Sequence, residues 1–137
     1  MTQEEIINHF LSRAKEIEEQ ARQQSELADL TEHQLSCLQK IEELKNPLPS
    51  VLAKELSITK PTTTALIDKL LKKKVIKKVP SKKDKRAFHL HSTTAGRKMI
   101  RLHESVQTEV ASRLTKNLNE SEKDILGYLL TKVLTEE

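Results

Sequence analysis

The run from Leu52 to Gly96, LAKELSITKPTTTALIDKLLKKKVIKKVPSKKDKRAFHLHSTTAG, decides the fold. Ser50 to Leu56 reads as a short helix with Leu52, Ala53 and Leu56 inward, and Ser57-Ile58 turns the chain. Thr59 can cap a second helix that carries Pro61 in its first turn, where a missing N–H does no harm. That helix extends to about Lys73 and buries Leu66, Ile67 and Leu70. The period then changes. Val75 to Val79 is rich in β-branched residues, Pro80 to Lys85 is a charged loop, and Ala87 to Ser92 alternates Phe88 and Leu90 with His89 and His91. Helix, tight turn, helix and hairpin make a winged helix-turn-helix with a small β-hairpin wing.

Outside this run the chain is helical. Residues 3–28 form one long amphipathic helix, with Ile6, Phe10, Ala14, Ile17 and Ala21 at helical spacing. Thr31-Glu-His-Gln34 has the form of a capping box, so a second helix starts near Thr31. Asn46-Pro-Leu-Pro49 ends it, because the residue before a proline is pushed away from helical geometry. Thr93 or Thr94 caps a long helix through Met99, Ile100, Val106, Val110, Leu114 and Leu118. The pattern breaks at Asn119 to Ser121, and Ser121 is read as the cap of a last helix with Ile125, Leu129 and Val133 on one face. The expected fold is mainly α. It is a single domain over 1–137, with residues 31–93 as the winged helix and residues 1–30 and 94–137 as dimerisation helices. These outer helices have apolar faces and no large core to receive them, so pairing with a second copy is expected.

Composition excludes several classes. The chain has 137 residues, 36% hydrophobic and 32% charged, enough for one domain with a thin core. Its two glycines, Gly96 and Gly127, cannot build a dinucleotide fingerprint or a phosphate loop. Three aromatics, Phe10, Phe88 and Tyr128, do not make a stacking platform for single strands. Neither a Ser/His/Asp order nor an HExxH spacing occurs, so an enzyme is not expected. No apolar run approaches the roughly 18 residues of a membrane span. The opening MTQEEIINHF lacks the pattern of a signal peptide, and a soluble cytoplasmic protein is expected.

The net charge of +4 is unevenly spread. Residues 1–53 carry 5 Lys/Arg against 10 Asp/Glu, residues 54–86 carry 12 against 3, and residues 87–137 carry 7 of each. One quarter of the chain therefore holds the whole positive excess, the footprint expected of phosphate binding to double-stranded DNA. A helix entering the major groove reads bases with its N-terminal residues, which here are Thr59, Lys60, Thr62, Thr63 and Thr64. Threonine is unfavourable inside helices, yet its hydroxyl and methyl suit phosphates, base edges and the thymine methyl. Lys69, Lys72 and Lys73 are placed for phosphates, and Lys74, Lys77 and Lys78 are positioning contacts at best. In the wing, Arg86 is the candidate for a narrow minor groove, with Lys82, Lys83 and Lys85 on phosphates. Asp84 would repel phosphate. Its expected role is to orient Arg86 or to cap the loop's own backbone.

These residues resemble the multiple-antibiotic-resistance regulator (MarR) family. The resemblance rests on Leu52-Ala53, Leu56, Pro61-Thr62, Thr64, Asp68-Lys69-Leu70, Asp84-Lys-Arg86, and Thr93 with Gly96. It implies a homodimer joined by its first and last helices, acting on a pseudo-palindromic operator and usually repressing. It also implies a small-molecule effector bound between the dimerisation and DNA-binding parts. Three positions depart from the pattern. Lys74 stands where the family usually has a glycine, so it needs another helix ending or a left-handed residue. Ala65 replaces a frequent arginine, and Ser92 replaces a leucine before Thr93. The stretch FHLHSTTAGR followed by IRLH is similar to a branch that controls fatty-acid synthesis, but is too short to name a ligand.

Cys37, close to Leu38 and Ile41, reads as a buried inert thiol rather than a peroxide sensor. His89 and His91 point the same way from one strand, with His9, His33 and His103 elsewhere. Metal sensing would need three or four converging ligands, so no metal or cofactor is assigned. The alternative to a DNA regulator is a winged-helix interaction module that binds RNA or an acidic protein.

Overall fold

The computed structural model describes residues 1–135. It contains α1 (Gln3–Gln23), α2 (Glu32–Glu43), α3 (Pro49–Leu56), α4 (Lys60–Lys72), β1 (Ile76–Pro80), β2 (Phe88–Ser92), α5 (Thr94–Leu114) and α6 (Glu120–Leu134). A 3-10 turn, Glu26–Asp29, lies between α1 and α2. The winged helix expected from the sequence is present.

Contacts gather into two compact units. The first spans Arg22–Ser105 and holds the winged helix. Its core is apolar: Leu27, Leu38, Ile41, Leu52, Leu70 and Leu90 are fully buried. Burying a side chain of this size contributes roughly 1.5–3 kcal/mol, so α2, α3, α4 and β2 are held mainly by these leucines and Ile41. The strands pair antiparallel with Ile76 opposite Ser92 and Pro80 opposite Phe88. Leu90 N–H also donates to Pro47 O at 2.9 Å, which lays the segment after α2 along the outer edge of β2.

The second unit consists of residues 1–21 and the chain from Val106 onward. Ile17, Ala21, Val106 and Val110 are buried in it. Many of its apolar side chains stay in solvent. Ile6, Ile7, Phe10 and Leu11 on α1 and Ile125, Tyr128, Leu129 and Val133 on α6 are all exposed, and α6 buries none of its residues.

Three helix ends differ from the sequence reading, one of them the end of α5, which stops at Leu114 short of Leu118. The long first helix stops at Gln23 rather than 28, because Ser25 caps the 3-10 turn, its Oγ accepting from Leu27 N–H and donating to Arg22 O. The cap of α6 is Asn119, not Ser121. Asn119 Oδ1 accepts from Glu122 N–H and Glu122 Oε1 accepts from Asn119 N–H, both at 2.9 Å, which completes a capping box. The box at Thr31 and Gln34 forms as expected. No helix among the described residues is long and apolar enough to cross a membrane.

Candidate nucleic-acid interface

The turn into α4 is made by Ser57, which takes left-handed geometry at φ 55° and ends α3. Thr59 follows with extended backbone and caps α4, accepting from Thr62 N–H at 3.3 Å. Pro61 lies in the first turn, as the sequence required. The four threonines then divide. Thr59 Oγ1 donates to Thr62 Oγ1 at 2.9 Å, so the Thr62 proton remains available to an outside acceptor. Thr64 donates back to Lys60 O at 3.0 Å and keeps its lone pairs and methyl at the surface. Thr63 is a correction to the expected set of readers. It is 2% exposed, and its hydroxyl donates to Thr59 O at 2.8 Å. It packs α4 onto the core and offers nothing outward.

Lys60, Lys69 and Lys72 are exposed and form no ion pair among the described residues. Lys73 differs from its neighbours. Its ammonium donates to Asp29 O and to Gln34 Oε1, the latter at 2.8 Å, so it is engaged inside the unit. Lys78 lies over the Phe88 ring at 4.4 Å, which fixes it to the hairpin.

The end of α4 uses the left-handed option. Lys74 has φ 59°. Its N–H donates to Leu71 O at 3.0 Å and Val75 N–H donates to Leu70 O at 3.2 Å, the two bonds of a Schellman ending, with Leu70 and Val75 buried beneath it. Gly96 is required here, since a Cβ on it would clash with the Val75 carbonyl oxygen and press Leu38 Cδ1 at 3.3 Å.

In the wing, Ser81 N–H donates to Ala87 O and Ala87 N–H to Asp84 O, both at 3.0 Å. Asp84 Oδ1 accepts from the backbone N–H of Arg86 at 3.0 Å. Of its two expected roles, Asp84 therefore takes the backbone cap, and its carboxylate is not bonded to the Arg86 guanidinium. Lys82, Lys83, Lys85 and Arg86 all project from this closed loop into solvent.

The other candidate chemistries are weaker. Cys37 is 1% exposed, and burial pushes its thiol up to about 11, so it is not a thiolate near neutrality. His89 Nδ1 is tied to Asn46 O at 2.8 Å. No group of three His, Cys, Asp or Glu that could hold a metal ion occurs among the described residues. Sequence reading missed the Lys73 bonds and the Asn46–Pro47 edge. The Asn-Pro dipeptide signalled a turn there, but not its docking on β2.

Residues 30–88 match the MarR family. The multiple antibiotic resistance protein MarR of Escherichia coli (strain K12) is 36% identical over 87 residues, 63% of this chain and 60% of that protein. The match thus spans less than two thirds of the relative's length. Among solved structures, the S. aureus MepR F27L mutant bound to an oligodeoxyribonucleotide has a TM-score of 0.79 at 26% identity, covering 98% of this chain and 96% of that one. Streptococcus pneumoniae FabT in complex with DNA has a TM-score of 0.71 at 28% identity, covering 95% and 91%. Sequence match, element order and fold agree, and the chain is similar to winged-helix proteins of the MarR family, whose model it matches over residues 30–88.

Proposed function

We propose that this chain is a sequence-specific, double-stranded DNA-binding regulator of transcription. The observation that carries the reading is the exposed N-terminal end of α4, with Lys60, Thr62 and Thr64 outward, on the same compact unit as a backbone-capped loop bearing Lys82, Lys83, Lys85 and Arg86. A helix end that offers hydroxyls and a cation suits the major groove, and an arginine on a short loop suits the minor groove. The lysines along α4, Lys69 and Lys72, add sequence-independent phosphate contacts. Two relatives of the same fold are bound to DNA in their solved structures.

The protein acts as a homodimer on a pseudo-palindromic operator. The exposed apolar residues of α1 and α6 support this, since a second copy would remove them from water. Its role is repression, relieved by a small ligand. A cavity of about 380 Å³ in the unit Arg22–Ser105, walled by Leu30, Val75 and Met99, is large enough to take one.

The test is selection from random-sequence duplex DNA at two salt concentrations, with the oligomeric state measured alongside. A palindrome enriched by a dimer supports the reading and supplies the operator. Weak, steeply salt-dependent binding with no enriched sequence overturns it in favour of an RNA-binding or acidic-protein-binding module.

A further inference from the structure

We infer that Lys73 is a positioning residue that seats the recognition helix on α2 and does not neutralise a phosphate; this rests on the DNA-binding reading above. By sequence Lys73 is one of three consecutive lysines, and all three are exposed. Its bonds set it apart. The ammonium donates to the Asp29 carbonyl at the end of the 3-10 turn and to Gln34 Oε1 in the first turn of α2. Neither acceptor is loose. Gln34 is 7% exposed, and its Oε1 also accepts from Thr31 N–H at 3.1 Å within the capping box. The 3-10 turn is held in its own right, because Arg22 donates to Leu27 O and Leu30 O. An ammonium has three protons, and two of them are committed to fixed oxygens more than 30 residues away in sequence.

The consequence for binding is geometric. Lys73 is the C-cap of a 13-residue helix, about 20 Å long. Beyond it, the Lys74 and Val75 carbonyls are held by Thr93. The C-terminal end of α4 is therefore clamped from two sides, by the α2 cap through Lys73 and by the α5 cap through Thr93. Releasing one clamp lets the helix tilt. A tilt of about 3° moves its far end, where Thr62 and Thr64 lie, by about 1 Å over that length. Hydrogen bonds to base edges do not survive such a shift unaltered.

The test compares Lys73→Met, Lys72→Met and Gln34→Met, alone and paired, in the full chain, on a DNA site selected as above. Affinity is corrected for the fraction of protein able to bind. For Lys73→Met the expected result is an affinity about 3- to 10-fold lower at every salt concentration, with the salt slope unchanged. For Lys72→Met the slope falls by about one. Lys73→Met and Gln34→Met should be non-additive, the pair losing less than the product of the single losses. A slope reduced by one in Lys73→Met makes it a phosphate contact and overturns the inference, as do unchanged affinity or fully additive losses. If the wild-type protein binds no DNA, the functional reading fails by itself. Amide hydrogen exchange on the free protein then decides the clamp: lost protection around Gln34 and Val75 in Lys73→Met alone upholds it, and equal protection in both lysine variants overturns it.

Discussion

The Thr93 hydroxyl donates to the Lys74 carbonyl at 2.7 Å and accepts from the Gly96 N–H at 3.1 Å. One side chain thus caps α5 and holds the chain that leaves α4, while its own N–H donates to Val75 O at 3.0 Å. Thr93→Val keeps the shape and removes both hydroxyl bonds. It should lower the unfolding free energy by about 2 kcal/mol, the sum of a lost cap and a carbonyl left without its donor. Thr93→Ser should recover most of this. Urea titrations of the three proteins check it, and a loss below about 0.5 kcal/mol for the valine variant contradicts the assignment.

Lys74 holds a left-handed backbone that costs a side-chain-bearing residue about 1 kcal/mol. Glycine has no such cost but more freedom when unfolded. Lys74→Gly should therefore stabilise the protein by about 0.5 kcal/mol and raise Tm by about 2 °C. Calorimetry reads this directly, and an unchanged or lower Tm would contradict it.

Ser92 is 4% exposed, and its Oγ finds no hydrogen-bond partner among the described residues. A hydroxyl buried in this way costs roughly 1–3 kcal/mol. Removing it in Ser92→Ala should gain about 1 kcal/mol in chemical denaturation. A net loss would show that the hydroxyl is satisfied in solution.

The Cys37 thiol, raised by burial to about 11, ties stability to alkaline pH. The unfolded thiol ionises first, near 9, and so binds fewer protons than the folded one between 9 and 11. Stability should be unaffected by this group below pH 9 and should fall through that window, by no more than about 1.4 kcal/mol per pH unit. Cys37→Ala should lack this alkaline decline. Parallel slopes for the two proteins would contradict the prediction, as would rapid alkylation of native Cys37 at pH 8.

Arg86 and Lys72 should fail differently. Arg86→Ala should weaken binding to the selected site by about tenfold, roughly 1.4 kcal/mol, with little effect on unrelated duplex. Lys72→Ala should weaken both about equally and lower the salt slope by about one. Competition titrations at several salt concentrations separate the two, and unchanged site affinity for Arg86→Ala would remove it from the interface.

Features written in short-range chemistry were legible in the sequence. The Thr31–Gln34 box, the Thr59 cap and the hairpin all rest on neighbours a few residues apart, and all form. At Lys74 the resemblance left either another helix ending or a left-handed residue, and the chain takes the left-handed one. The last cap was misplaced by two residues because Ser and Asn both suit the position. Reciprocity decides it: Glu122 can reach back to Asn119, whereas Ser121 has the shorter Asp124 three residues on. Long-range facts were hidden. Thr62, Thr63 and Thr64 are identical in the sequence, and only the packing of α4 turns the middle one inward. Lys73 differs from Lys72 through two acceptors far away in sequence, Asp29 O in the 3-10 turn and Gln34 Oε1 in α2.

The segment after α2 has a final consequence. A two-stranded hairpin has two open edges, each able to recruit a strand from another molecule. Here Pro47 O already accepts from Leu90 N–H, and Asn46 O is bonded to His89, so the β2 edge is closed from within the chain. The opposite edge belongs to β1, five residues that include Lys77, Lys78 and a terminal Pro80. Two charges and a residue without an N–H make that edge a poor template for strand addition. The same lysine-rich composition that makes the segment basic therefore guards the exposed hairpin against aggregation between copies.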